Sequence, residues 1–140
     1  MRSLEVERCI IYAYDQQTDS LKTLAMAGNV SEGFSLAKDR GSVGHAFCTG
    51  NTVAMRSPYE DRRFDKGVDQ LRHSVTRNLL CVPAAVGKER LGCVEVANKK
   101  GLGFVEGDMR LVELIAKEIA AGLKREIVRK KQVPDRIASA

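Results

Sequence analysis

At 140 residues the chain is sized for one domain with a core of its own, and its 44% apolar content is too high for a disordered protein. No apolar run approaches the ~20 residues that a membrane-spanning helix needs, and residues 1–7 lack the apolar centre of a secretion signal, so a cytoplasmic protein with no membrane partner is expected. The net charge of +5 gathers near the C-terminus, where Lys124, Arg125, Arg129, Lys130 and Lys131 face Glu126 alone; without interleaved aromatics this is a solvated helix end, and no nucleic-acid partner is expected.

Residues 8–14, rich in Ile, Tyr and Ala, predict a strand, residues 15–19 a turn, and residues 21–27 a second strand closed by Gly28-Asn29. Residues 31–40 are mixed, with a short extended piece around Phe34-Ser35-Leu36. The glycine-bracketed segment from Gly41 predicts a short helix with Ser42 as N-cap and Gly50-Asn51 as its end. Residues 52–55 read as a short strand. Residues 57–73 are charged and irregular, with Tyr59, Phe64, Val68 and Leu71 as apolar anchors, and predict one or two short helices lying over a sheet as a lid.

Residues 78–97 hold two apolar runs around the polar turn 87–90, a β-hairpin signal. Residues 106–131 carry Leu111, Ile115, Ile119, Leu123 and Ile127 four apart, the stripe of a long amphipathic helix that Pro134 ends. Strands outnumber the helices that could cross between them, so the pattern favours an α+β fold with an antiparallel sheet over a doubly wound parallel one. The reading is one domain over 1–123, followed by a projecting linker helix and tail over 124–140. A helix this long is expected to meet another, as in a homodimer joined through terminal helices.

Cys9, Cys48, Cys81 and Cys93 form no Cys-x-x-Cys pair, and His45 and His73 lie far apart, so no zinc spacing exists and buried reduced thiols are expected. Glu95 interrupts an apolar strand, Leu91-Gly-Cys-Val-Glu-Val-Ala. Strand alternation lets it face solvent, whereas facing the core it needs a partner.

Three blocks together resemble a GAF domain of the type that precedes the catalytic domain of cyclic-nucleotide phosphodiesterases. They are Gly41-Ser-Val-Gly-His to Thr49-Gly50; Pro58-Tyr-Glu-Asp-Arg-Arg-Phe64 with Gly67-Val-Asp69 and Thr76-Arg-Asn-Leu-Leu-Cys-Val-Pro83; and Asn98-Lys99, Phe104 and Asp108. The resemblance implies a six-stranded antiparallel sheet with the N- and C-terminal helices on one face and short lid helices over a ligand pocket on the other. It also implies a non-catalytic regulatory role, a cyclic nucleotide (cAMP or cGMP) as ligand with no other cofactor or metal, and a downstream phosphodiesterase catalytic domain.

Matched residue by residue, the resemblance puts Met26, Ser42, Val43, Phe64, Asp69, Thr76 and Glu95 at the ligand, with free N–H groups near Ser42 and Val43 for a phosphate. Asn98, Lys99, Phe104 and Asp108 form a brace in which a Lys99–Asp108 pair pins the strand-to-helix loop; Met109 replaces the family's Glu there. Met26-Ala27 and Ile10 replace the aromatic–acid pair and the serine of cGMP-binding relatives, which leaves a cAMP site or a pocket without a ligand. Some GAF-like domains reduce methionine sulfoxide with clustered cysteines; the four here are scattered.

Overall fold

A computed structural model describes residues 4–28, 33–101 and 103–132. The chain order is β1 (Val6–Asp15), β2 (Ser20–Gly28), β3 (Ser35–Ala37), α1 (Gly41–Thr49), β4 (Val53–Met55), a 3-10 turn (Pro58–Glu60), α2 (Lys66–Arg72), β5 (Leu79–Val86), β6 (Glu89–Lys99) and α3 (Glu106–Gln132). All neighbouring strands pair antiparallel in one six-stranded sheet of order β3-β2-β1-β6-β5-β4. This is the predicted α+β architecture. Asn29, Ser31 and Pro134 lie outside the described residues, and no helix precedes β1 among those described, where α3 is the one terminal helix on its face.

Alternation along β5 and β6 divides the core. Leu80, Val82 and Ala84 of β5 and Val94 and Val96 of β6 pack against Val112, Ala116 and Ala120 of α3. Leu79, Cys81, Cys93 and Ala97 point the other way, to meet Val43, Ala46 and Phe47 of α1, Val68 of α2 and Ile10 and Tyr12 of β1. The lid elements therefore share one face with α1, and α3 has the other.

The helix face departs from the predicted stripe. Val112, Ala116 and Ala120 are buried, while Ile115 and Ile127 are 39% and 36% exposed. A row spaced four residues apart advances ~40° around a helix at each step, because a turn takes about 3.6 residues. The row from Leu111 to Ile127 thus meets the sheet only in part, where Ile119 and Leu123 pack partly buried against the same cluster, and the two alanines let α3 come close to β5 and β6.

The helix start also differs. Ser42 is no N-cap: Arg40 holds that position with no side-chain cap, its carbonyl accepting from Gly44 N–H at 3.0 Å. A Cβ on Gly44 would lie 2.4 Å from the Asp39 carbonyl carbon, so the glycine lets the preceding loop pass close and the helix begins before Ser42.

A Cβ on Gly92 would lie 2.1 Å from the Tyr12 carbonyl oxygen, where β1 and β6 pair side by side. Gly92→Ala should therefore push these central strands apart and cost ~1–3 kcal/mol, the usual scale of overpacking. A urea midpoint equal to that of the unmodified chain would refute the close approach.

Candidate functional site

Glu95 lies on β6 between Cys93 and Ala97, on the lid side of the sheet, and is 3% exposed. A carboxylate there needs partners, and it has two. Arg8 Nε donates to Glu95 Oε2 at 3.0 Å, and Arg72 Nη1 donates to the same oxygen at 3.0 Å. Arg8 comes from β1 by the same alternation that buries Ile10 and Tyr12, and its Nη2 donates to Thr76 Oγ1 at 2.9 Å.

The Thr76 hydroxyl in turn donates to Asp69 Oδ1 at 2.7 Å, and Arg72 Nη2 donates to that oxygen at 3.1 Å. Arg8, Glu95, Arg72, Asp69 and Thr76 thus form a closed ring of charged and hydrogen-bonded side chains between sheet and lid. Asp69 Oδ2 also accepts from Thr76 N–H at 2.7 Å and from the Tyr59 hydroxyl at 2.9 Å.

Local sequence sets up this arrangement. Asp65 caps α2 by accepting from Gly67 N–H at 2.8 Å and is held by Arg40 Nε at 2.7 Å. Asp69 and Arg72, three apart, sit on one side of α2. His73 then takes the left-handed conformation, φ 54°, which ends α2 and turns the chain so that Thr76 returns beneath Asp69.

The Arg72 guanidinium lies over the Phe34 ring, 5.8 Å from its centroid, and its side chain is 6% exposed. Burial opposes its charge, but the Glu95 carboxylate, Tyr12 and Asp69 outweigh that and raise its pKa further. Burial, then Glu95, pushes the Tyr12 phenol well up. Among the described residues the Tyr12 hydroxyl and Arg72 Nε have no hydrogen-bond partner.

What remains of the space between lid and sheet is about 10 Å³, lined by Leu36, Ser42, Val43, Phe64, Arg72 and Glu95 among others. That is room for about one water. Four predicted ligand residues, Ser42, Val43, Phe64 and Glu95, meet there. Asp69 and Thr76 stand behind it in the ring. Met26 is 38% exposed and does not line it. β3 pairs only with residues 20–22 of β2, so among the described residues no strand pairs with the outer edge of β2 at Met26, whose inner edge meets Ile10 of β1.

Arg8, Phe34, Tyr59 and Arg72 complete the site and escaped sequence reasoning. Arg8 carried a signal, since it shares the alternation of Ile10 and Tyr12. So did Arg72, three residues after an acid on a short helix.

The strand-to-helix corner lies elsewhere and lines none of this space. Lys99 pairs with Asp108, whose carboxylate accepts from Val105 N–H at 2.9 Å. Asn98, at φ 62°, accepts from Arg77 N–H at 2.6 Å and donates to the Val75 carbonyl at 2.9 Å. Asn78 bonds both the N–H and the carbonyl of Lys99, at 2.7 and 2.9 Å, and Phe104 packs on the α3 side.

Cys81 and Cys93 are fully buried, and burial, then Cys93, pushes the Cys81 thiol well up; Cys48 is exposed. Among the described residues no cluster of His, Cys, Asp and Glu could hold a metal ion, and no helix is long and apolar enough to cross a membrane.

Thr76→Val keeps the shape of residue 76 but removes one donor and one acceptor from the ring. It should lower stability by ~1–3 kcal/mol, the cost of stranding buried polar groups, as read from a denaturant midpoint. A change within error would show the ring to be energetically idle.

Asp61 steadies the loop before α2. Its carboxylate accepts from Arg63 N–H at 2.9 Å and from the Arg63 guanidinium at 3.0 and 2.7 Å. Those guanidinium bonds outweigh partial burial and lower its pKa to about 2. The folded value lies below the unfolded one, so this contribution is complete above pH ~4 and fades as pH falls toward ~2. Asp61→Asn should therefore flatten the fall in stability between pH ~4 and ~2. An unchanged acid limb, or an Asp61 carboxyl titrating near the ordinary value by NMR, would refute the pairing.

Comparison with known proteins agrees with this architecture. The family model described as GAF domain matches residues 1–123. A dual 3',5'-cyclic-AMP and -GMP phosphodiesterase 11A from Takifugu rubripes is 32% identical over 78 residues, 54% of this chain and 9% of that protein, so the chain spans a small part of that relative. Among solved structures, the GAF domain of an Acinetobacter phosphoenolpyruvate-protein phosphotransferase superposes with TM-score 0.76 at 18% identity, covering 90% of this chain and 75% of that one. A free methionine-R-sulfoxide reductase from Neisseria meningitidis, solved with its substrate, superposes with TM-score 0.72 at 18% identity, covering 87% and 71%. At such identities the solved structures speak for the fold alone, while the family match extends over most of the sequence: the chain belongs to the GAF domain family.

Proposed function

We propose that this chain is a non-catalytic regulatory module that relays a conformational signal to an attached domain through α3, with the space between lid and sheet filled by its own side chains. The observation that carries this reading is the volume left under the lid, about 10 Å³, against the several hundred Å³ of an ordinary ligand pocket. The relay is a rod. α3 runs 27 residues, and residues 125–131 are all exposed beyond the sheet. The proposed recipient is a phosphodiesterase catalytic domain, by likeness to the curated relative; the proposed assembly is a homodimer through terminal helices, in the cytoplasm.

A second reading keeps the module as a cyclic-nucleotide sensor, cAMP favoured over cGMP. It is supported by the meeting of Ser42, Val43, Phe64 and Glu95 at one place, and by the nucleotides in that relative's name. The exposed Met26, in place of an aromatic stacking partner, weighs against guanine. In this reading α2 must carry Arg72 out before a purine can enter.

A thermal melt with millimolar cAMP or cGMP separates the two. A ligand at a hundred times its dissociation constant adds ~2.7 kcal/mol, roughly 10 °C for a domain of this size. The self-filled module should show no rise with either nucleotide. A saturable rise with cAMP would replace the first reading with the second.

A further inference from the structure

The Arg72 guanidinium is held as a bound ligand is held. One amino group, Nη1, donates to Glu95 at 3.0 Å, the other, Nη2, to Asp69 at 3.1 Å, and the planar face lies 5.8 Å from the centre of the Phe34 ring. Its third nitrogen, Nε, has no partner among the described residues, although the side chain is 94% buried and lines the remaining cavity. The contacts are therefore those of a planar C(NH2)2 cation, in which the third substituent of the carbon goes unread.

Arg72 is also the member of the ring that can leave. Without it Asp69 keeps Thr76 and Tyr59, and Glu95 keeps Arg8. The charge balance, however, does not survive its departure. Arg8 alone then faces the two buried carboxylates, one positive charge against two negative, and the neighbouring Arg40–Asp65 pair is neutral. A cation restores neutrality, whereas an anion adds to the deficit.

We propose that Glu95, Asp69 and Phe34 form a recognition site for a guanidinium or amidinium group, which Arg72 occupies from within and which an external ligand of that class takes when the Arg72 side chain swings out and Asp69 stays in place on α2. The inference rests on the reading that Arg72 fills the space under the lid.

The test uses the full chain with Arg72→Ala, titrated with benzamidine, with benzamide as the neutral isostere and benzylamine as the non-planar cation. The variant should bind benzamidine saturably by calorimetry, at least about tenfold more tightly than either control and than the unmodified chain does, and Glu95→Gln added to Arg72→Ala should abolish it. Equal binding of benzamide, or none up to ~10 mM in a folded variant, overturns the proposal. Should Arg72→Ala not fold alone, folding restored by benzamidine and not by benzamide supports it. Absence of that rescue, with an unshifted Arg72 Nε–H signal by NMR in the unmodified chain on adding benzamidine, overturns it. A cAMP-induced stabilisation of the unmodified chain would sink the self-filled reading without touching these outcomes, so the two failures are separable.

Discussion

A carboxylate on a central strand is the constraint from which the lid side of this domain follows. Glu95 is cut off from bulk solvent, and removing a charge from water without compensation costs several kcal/mol. One arginine from the neighbouring strand β1 satisfies part of the demand and one from α2 satisfies the rest. The second choice ties a short helix of seven residues, too short to be stable alone, to the middle of the sheet. Phe64 and Val68 then pack inward because α2 is already held there. The lid is thus positioned by electrostatics and sealed by apolar contact.

Much of the scaffold was legible because it obeys local rules. Apolar and β-branched runs bounded by turn residues mark the strands, Gly50 and the charged turn near Gly87 mark boundaries, and the apolar row spaced four apart after Glu106 marks the long helix. The errors have physical sources. A four-residue row on α3 suggests a straight stripe, but a real helix turns it at each step, so Ile119 and Leu123 reach the core, Ile115 and Ile127 do not, and Val112, Ala116 and Ala120 fill the seat. The N-cap was placed on a residue with the right side chain, while a glycine contact with Asp39 had moved the start. At the site, acids and hydroxyls were visible as candidates, but Arg8 and Arg72 were not. Their shared partner Glu95 lies 87 and 23 residues away in sequence, pairings that no local window sees, although the alternation of β1 and the Asp69–Arg72 spacing mark the two arginines.

Membership of a widely used fold family narrows the role less than it narrows the architecture. A phosphotransferase GAF domain and a methionine sulfoxide reductase both share this fold at 18% identity. What distinguishes one such chain from another is what stands between lid and sheet. In this one it is a charged residue of the lid itself, and the chemistry of that residue carries the functional argument.

The seating of α3 has a mechanical consequence. Large side chains interlock like gear teeth and fix a helix at one position along its axis. Val112, Ile119 and Leu123 interlock in this way beside the two alanines, and ion pairs tie the rod to the sheet region at Lys99 and Asp108 and again at Lys124 and Glu89. A displacement of β5 and β6 would therefore carry the rod with it as one body, and the exposed stretch beyond Lys124 would sweep the widest arc.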